Sequence, residues 1–304
     1  MTSTGGTASI EVGGRRIALS NVDKVLWPLA GWTKERMLRY YLRVAPVLLP
    51  HVAGRPVTLG RFPDGVEAGG WYQNECRGRP EWMTVHPVRI RSGKVQRFCV
   101  VDDAAALAWV ANQGTIELHP FLALAERPDE PTAVVFDLDP GRPADAVACA
   151  RVALWLRSEL ERLGLAAFAK TSGSVGLHLV VPLNEPHAFA ETKAFARSLA
   201  GRAAADLDGV VDRQARSART GKVLVDWLQN DPMRSTVAPY SLRATDWPTV
   251  STPVSWDEVE HCAATGRPEA LTFDADAVLA RIELHGDLFE PVLMTRQRLP
   301  APPT

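Results

Sequence analysis

Thr132-Ala-Val-Val-Phe-Asp-Leu-Asp139 runs directly into Pro140-Gly141. An apolar run of this length reads as a strand, and Pro-Gly ends it. Residues i and i+2 of a strand share a face, so Asp137 and Asp139 project together where the sheet opens to solvent. Two carboxylates held that close repel unless a cation lies between them. Alone, Asp-x-Asp is a short motif that a polar turn closing a buried strand would also produce. Val223-Leu-Val-Asp226 lifts it above that level, because it is another apolar run ending in a carboxylate. Three acids at strand ends form the ligand set of a two-cation phosphoryl-transfer site.

The chain has 304 residues, enough for one large domain or two small ones. No apolar stretch approaches a membrane span, and the start, Met-Thr-Ser-Thr-Gly-Gly, lacks a secretory pattern. Cys76, Cys99, Cys149 and Cys262 form no Cys-x-x-Cys pair. Neither zinc nor a disulfide framework is expected, and a reducing cytoplasm, beside the nucleoid, is the default. The net charge of −1 argues against a nucleic-acid partner, but its distribution does not. Residues 1–100 hold 15 Lys and Arg against 7 Asp and Glu, whereas residues 101–304 hold 19 against 28. A basic first third and an acidic remainder suit a protein that grips phosphates on one side and metals on the other, although two solvated faces would give the same split.

Outward from the acid strand, the pattern predicts a mixed α/β fold. Residues 1–9 read as a loose tail, 10–290 as a single catalytic domain and 291–304 as a Pro-rich stub. A short strand is expected at Arg15–Leu19. Thr33 is the expected N-cap of a helix running to Leu49 and stopped by Pro50, with Met37, Tyr40, Tyr41, Val44 and Leu48 on its buried face. Strands follow at Pro56–Phe62, Gly70–Gln73, His86–Ile90 and Val95–Val101, then a helix over Asp102–Asn112. Beyond the acid strand come a helix at Pro143–Leu163, strands at Ala166–Lys170 and Leu177–Pro182, a helix at Pro186–Leu207 and the strand Val223–Trp227. Short helices near Trp256–Ala263 and Ala275–Ile282 complete the pattern. The irregular stretch 229–254 is no tether, since Val237, Tyr240, Leu242 and Trp247 call for burial.

Four further segments carry chemistry. Lys170-Thr-Ser-Gly-Ser-Val-Gly-Leu-His178 links two strands, and its Gly and Ser residues leave N–H groups and hydroxyls free for an anion, with Lys170, Ser172 and His178 at hand. Asn112 to His119 packs Gln113, Thr115, Glu117 and His119 into one stretch, which demands partners or a ligand. Arg61, then Trp71-Tyr72, places aromatics beside a cation, as unpaired bases require; adjacent strand residues face opposite ways, so at most one of the pair belongs in a core. Asp226-Trp-Leu-Gln229, then Thr236 to Arg243, adds an arginine able to clamp a triphosphate. Each has a bland alternative: a Gly/Ser hairpin, a structural polar network, core aromatics, a plain salt bridge.

Taken together and in this order, these segments resemble the archaeo-eukaryotic primase superfamily, and more closely the polymerase domain of bacterial ligase D, the end-joining ligase. Asp-Leu-Asp, Ser-Gly-Ser-x-Gly-x-His and the strand-borne Asp226 match the superfamily's three motifs. Asn-Gln-x-Thr-Ile-Glu-Leu-His-Pro and Val-Ala-Pro-Tyr-Ser-Leu-Arg look like signatures of the ligase D branch. The resemblance runs from about Val12 to Asp287 and includes no ligase or nuclease module, as in the stand-alone polymerases of mycobacteria and their relatives.

That resemblance implies a primase-like catalytic core in which Asp137, Asp139 and Asp226 bind two divalent cations, manganese or magnesium. It implies that Ser172, His178 and Arg243 contact a nucleoside triphosphate, with His119, Gln229 and Lys170 nearby. Lys24, Lys34 and Arg61 would serve DNA, the lysines holding a downstream 5′-phosphate at a gap or break. Trp71 and Tyr72 stand where the family stacks bases. The implied enzyme is monomeric, prefers ribonucleotides, fills short patches and leaves sealing to a separate DNA ligase, with no membrane partner. Val175, Asn74 and Gly60 depart from the family pattern, each where a basic residue is expected, so phosphate contacts and end bridging should be weaker. Two rivals remain: a haloacid dehalogenase-type phosphatase, which also places Asp-x-Asp after a strand, and a non-catalytic DNA-end-binding module.

Overall fold

In the computed structural model, which describes residues 8–90, 92–213, 215 and 219–300, two short hairpins come first. β1 (Ser9–Val12) pairs with β2 (Arg15–Ala18), and β3 (Val25–Trp27) with β4 (Trp32–Thr33). Thr33 caps α1 (Lys34–Val52), its hydroxyl accepting from the Arg36 amide at 3.4 Å. Met37, Tyr40, Tyr41, Val44 and Leu48 are buried as the helical spacing predicts. The helix does not stop at Pro50; it continues to Val52 with Pro46 and Pro50 inside it. Each proline removes one backbone bond, but burial of Leu48, His51 and Val52 and a 2.8 Å bond from His51 to Asp287 hold the last turns.

The first sheet is built on β5 (Pro56–Arg61). One edge of β5 pairs with β9 (Thr115–Pro120) along its length. The other is shared between β6 (Trp71–Gln73), at the end of β5, and β8 (Val95–Val100), at its start. β7 (Val85–Arg89) flanks β8. α2 (Ala104–Asn112), capped by Asp103, packs on α1 to close this core. The polar stretch after Asn112 is thus a strand whose residues Thr115 to Leu118 are buried.

The second sheet has the strand order β13-β14-β10-β12-β11-β15. Its centre is β10 (Ala133–Pro140), antiparallel to β12 (Leu177–Pro182) on one side and to β14 (Val223–Asp226) on the other. β11 (Phe168–Thr171) and β15 (Pro253–Val254) extend one edge, and β13 (Val210–Val211) the other. α3 (Ala146–Arg162), α4 (Phe189–Asp206) and α5 (Trp256–Thr265) supply its apolar cover. α6 (Ala275–His285) returns to the first core through Ala275 and Val278. α7 (Glu290–Met294) precedes an extended end in which Gln297 bonds Ala166, Pro182 and Leu183. Most of the expected N-terminal tail, and residues 301–304, lie outside the described residues.

Two further expectations fail. In the irregular stretch Val237, Tyr240 and Leu242 are buried, but Trp247 is 56% exposed and belongs to no core. Its carbonyl is taken by the Thr249 amide and the Thr245 hydroxyl in a tight turn, which leaves the ring outside. Cys76 and Cys99, which sequence spacing leaves unpaired, form a disulfide with Cα atoms 5.0 Å apart. The Cys76 amide donates to the Arg97 carbonyl of β8, so the fold lays the two cysteines side by side although they are 23 positions apart in the chain. No helix among the described residues is long and apolar enough to cross a membrane.

Candidate active site

The antiparallel registers of the second sheet place four chemically active residues in one row. Asp226 stands opposite Asp137, Asp137 opposite His178, and His178 opposite Lys170. Residues directly across a sheet share a face, and Asp139 joins that face two residues along β10. Asp226 is buried and Asp139 half exposed, so the acids descend from the rim into the fold.

Burial pushes the Asp137 carboxyl up to about 7, and the Asp139 and Asp226 carboxylates push it the same way against the pull of Lys170 and Arg243. Gln229 donates its amide to Asp137 at 3.3 Å and to Asp226 at 3.4 Å, and Arg219 donates to Asp139 at 3.4 Å. Among the described residues no three His, Cys, Asp or Glu side chains converge as an ion would require. The acids adjoin, each turned toward a donor of the protein.

Lys170 is buried and donates to Ser251 Oγ at 2.7 Å and to His178 Nδ1 at 3.1 Å. The second bond puts the imidazole proton on Nε2, which lies 3.3 Å from Asp137 Oδ1. Burial, then the charges of Lys170 and Arg243, hold His178 well below the ordinary histidine value, so it is neutral. Burial, then Arg243, lower Lys170 to about 7 against the opposing pull of Asp137.

The loop between β11 and β12 is tied more closely than its composition predicts. Ser172 Oγ accepts from the Gly176 amide at 3.0 Å and the Ser174 amide at 3.2 Å, so these N–H groups are not free for an anion. Gly176 has no substitute, because a Cβ there would stand 2.2 Å from the Leu138 carbonyl of the acid strand. Arg243 reaches this loop from the irregular stretch between β14 and β15. Its guanidinium donates to the Ser172 carbonyl, and its Nε donates to Glu117 Oε1 of β9 at 2.9 Å. Arg243 thus stitches the two sheets together beside the acids, and His119 lies two residues from Glu117.

On the other side of the first sheet the cations gather. Lys34 is buried, and burial, then Lys24 and Arg61, lower it to about 8. Its Nζ donates to the Ser20 carbonyl at 2.5 Å. Lys24 bonds Asp64 at 2.6 Å and the Pro63 carbonyl at 2.8 Å. Arg61 donates to Gln73 and the Gln113 carbonyl and lies 5.5 Å from the Trp71 ring centre. Neither aromatic of the pair is core: Trp71 is 50% exposed and Tyr72 60%. They face opposite sides, Trp71 toward the cations and Tyr72 toward Glu117 and His119.

Residues 33–289 match the sequence model of the LigD primase-polymerase domain. The chain belongs to that family. It is 38% identical over 286 residues to the multifunctional non-homologous end joining DNA repair protein LigD of Mycobacterium tuberculosis, covering 91% of this chain and 37% of that protein. It is 27% identical over 274 residues to the bifunctional LigD of Bacillus subtilis, covering 89% of this chain and 43% of that one. The chain therefore spans well under half the length of these relatives. The polymerase domain from Mycobacterium tuberculosis ligase D, solved in complex with DNA, superposes with a TM-score of 0.85 at 37% identity, covering 93% of this chain and 99% of that one.

Within this LigD primase-polymerase domain, sequence reasoning overlooked four contributors. Glu117 was visible only as one polar residue among several; its signal is a carboxylate inside an apolar strand, in step with His119. Asn230, fully buried, clamps β10 by accepting from the Val135 amide at 2.8 Å and donating to its carbonyl at 2.7 Å. Ser251 holds Lys170, and Arg219 meets Asp139. The last two are loop residues whose partners lie roughly eighty positions away, and no local pattern marks them.

Proposed function

We propose that this chain is a template-directed nucleotidyltransferase that adds ribo- or deoxyribonucleotides to primer ends at short gaps and breaks in DNA. The observation that carries the reading is the opposed pair Asp137 and Asp226, with Asp139 on the same face. The donor set suits hard divalent cations: three carboxylates without sulfur, whose mutual repulsion helps raise Asp137. Asp137 and Asp139 would be shared by two ions, with Asp226 serving the one nearer the primer end. Bound there, manganese or magnesium supplies the charge that lowers the pKa of the primer 3′-hydroxyl and neutralises the leaving pyrophosphate.

The protein's own groups do the rest. Arg243, Ser172 and His178 hold the triphosphate, with His119, Gln229 and Lys170 beside them. Neutral His178 offers a donor without adding charge next to Asp137. Lys24 and Lys34 bind the 5′-phosphate of a downstream strand, Arg61 serves the DNA beside them, and Trp71 and Tyr72 present rings to bases at the break. The DNA in the related solved structure supports a DNA-facing surface here. A separate DNA ligase would seal the product.

The test is primer extension on a one-nucleotide gap bearing a 5′-phosphate, with manganese and each NTP or dNTP in turn. Templated addition is expected, and none from Asp137→Ala or Asp139→Ala. Wild-type protein that binds the gap but adds nothing under any of these conditions favours a DNA-end-binding module instead.

A further inference from the structure

Glu117 is buried, with a side chain 4% exposed, yet it receives four donors. Oε1 accepts from Arg243 Nε at 2.9 Å and the Ala244 amide at 3.0 Å; Oε2 accepts from His119 Nε2 at 2.8 Å and the Tyr72 hydroxyl at 3.0 Å. Burial raises its pKa, but the His119 bond, the Arg243 charge and the Ala244 amide outweigh this and hold it well below the carboxylate range. A carboxylate already saturated by donors does not bind a triphosphate; it aims the groups that do.

One of those donors comes from outside the site. Tyr72 lies on β6, at an edge of the first sheet, and Gly60 of β5 stands between it and Glu117: Tyr72 opposes Gly60, and Gly60 opposes Glu117. A Cβ at residue 60 would stand 2.8 Å from the Glu117 Cβ, in the lane the tyrosine crosses. Gly60, which the sequence presents as a missing basic contact, is the opening through which the phenol reaches the carboxylate. The ring also meets His119 edge-on, with centroids 5.2 Å apart. Burial, then the Glu117 charge and its hydrogen bond, push the phenol up to about 12, so it stays a donor.

Resting on the nucleotide-site reading above, we propose that Glu117 is the positioning residue for Arg243 and His119, and that the Tyr72 hydroxyl couples it to DNA bound at the exposed aromatic edge. A base stacked on the Tyr72 ring immobilises the phenol on Glu117. Arg243 is then held before the triphosphate arrives, which loses less freedom on binding. By reciprocity the triphosphate strengthens DNA binding by the same factor.

The experiment is a binding cycle: affinity for a non-hydrolysable NTP with manganese, measured alone and with a gapped duplex whose templating base is complementary. Wild type should gain about fivefold or more from the duplex, the lower range of such couplings. Tyr72→Phe keeps the ring and loses the hydroxyl, so the gain should fall toward unity whatever happens to either ligand alone. Glu117→Gln should weaken NTP binding without DNA, with its fold checked by melting. No gain in wild type, or the same gain in Tyr72→Phe, overturns the proposal. NTP binding that is absent from wild type would overturn the nucleotide-site reading as well; binding that persists with unchanged coupling overturns this proposal alone.

Discussion

Asp137 and Asp226 face each other directly across two antiparallel strands, and His178 flanks Asp137 on the other side. Cross-strand carboxylates are destabilising neighbours. Here Asp226 is buried and Asp137 largely shielded, so the fold maintains a charge conflict that a bound cation would relieve.

That conflict predicts a trade of stability for function. The Asp137 carboxyl titrates near 7 in the folded chain against 3.8 for the free side chain, so the folded state holds a proton that the unfolded state has released. Stability should therefore fall as pH rises from about 4 through 7. In EDTA, Asp137→Asn should melt no lower than wild type at pH 5 and higher at pH 8. Manganese should raise the melting temperature of wild type but not of the variant. A variant that melts lower at every pH contradicts the repulsion argument.

Lys34 gives a second pH dependence of opposite origin. Its folded pKa is about 8 against 10.5 unfolded, so between those values only the unfolded state is charged and stability rises with pH. Below pH 8 the charged lysine is a burden, and Lys34→Met should raise the melting temperature at pH 7. The same variant should lose any preference for gaps with a 5′-phosphate over those with a 5′-hydroxyl. In wild type that preference should decline as pH rises through 8, read from paired binding isotherms.

Trp71 separates stacking from packing. A core aromatic truncated to alanine costs about 3–5 kcal/mol of stability. A half-exposed one that stacks on a base costs about 1–3 kcal/mol of binding instead. Trp71→Ala should leave the melting curve within a degree or so and weaken gapped-DNA binding roughly tenfold, since 1.4 kcal/mol is a factor of ten. An early-melting variant with normal affinity once folded would place the ring in the core.

The Cys76–Cys99 bond closes a loop with a sequence separation of 23, for which chain-entropy arguments give about 3 kcal/mol. Cys76→Ser with Cys99→Ser should lower the denaturation midpoint accordingly, and a reductant should do the same to wild type. Cys149 and Cys262, both buried free thiols, should stay unlabelled in the folded state.

Much of this was legible in the one-dimensional chain because the relevant signals are periodic. The strand period places Asp137 with Asp139, the helix period picks out the buried face of α1, and Thr33 and Pro140-Gly141 mark boundaries by local backbone chemistry. None of those readings requires knowing what lies across space. Relationships between strands do. Opposition of Asp137 to Asp226 depends on register, which hydrogen bonding and burial select across nearly ninety residues of chain. Pairing of Cys76 with Cys99, the reach of Tyr72 over Gly60 to Glu117, and the Arg243 stitch between sheets depend on packing of the same kind. Helix α1 passing through Pro50 shows the converse, a local stop overruled by burial of Leu48 and Val52. Composition and periodicity settle which residues carry charge, which faces are apolar and where the strands end. Which charges meet is settled by the packing of the folded chain, because those contacts join residues far apart along it.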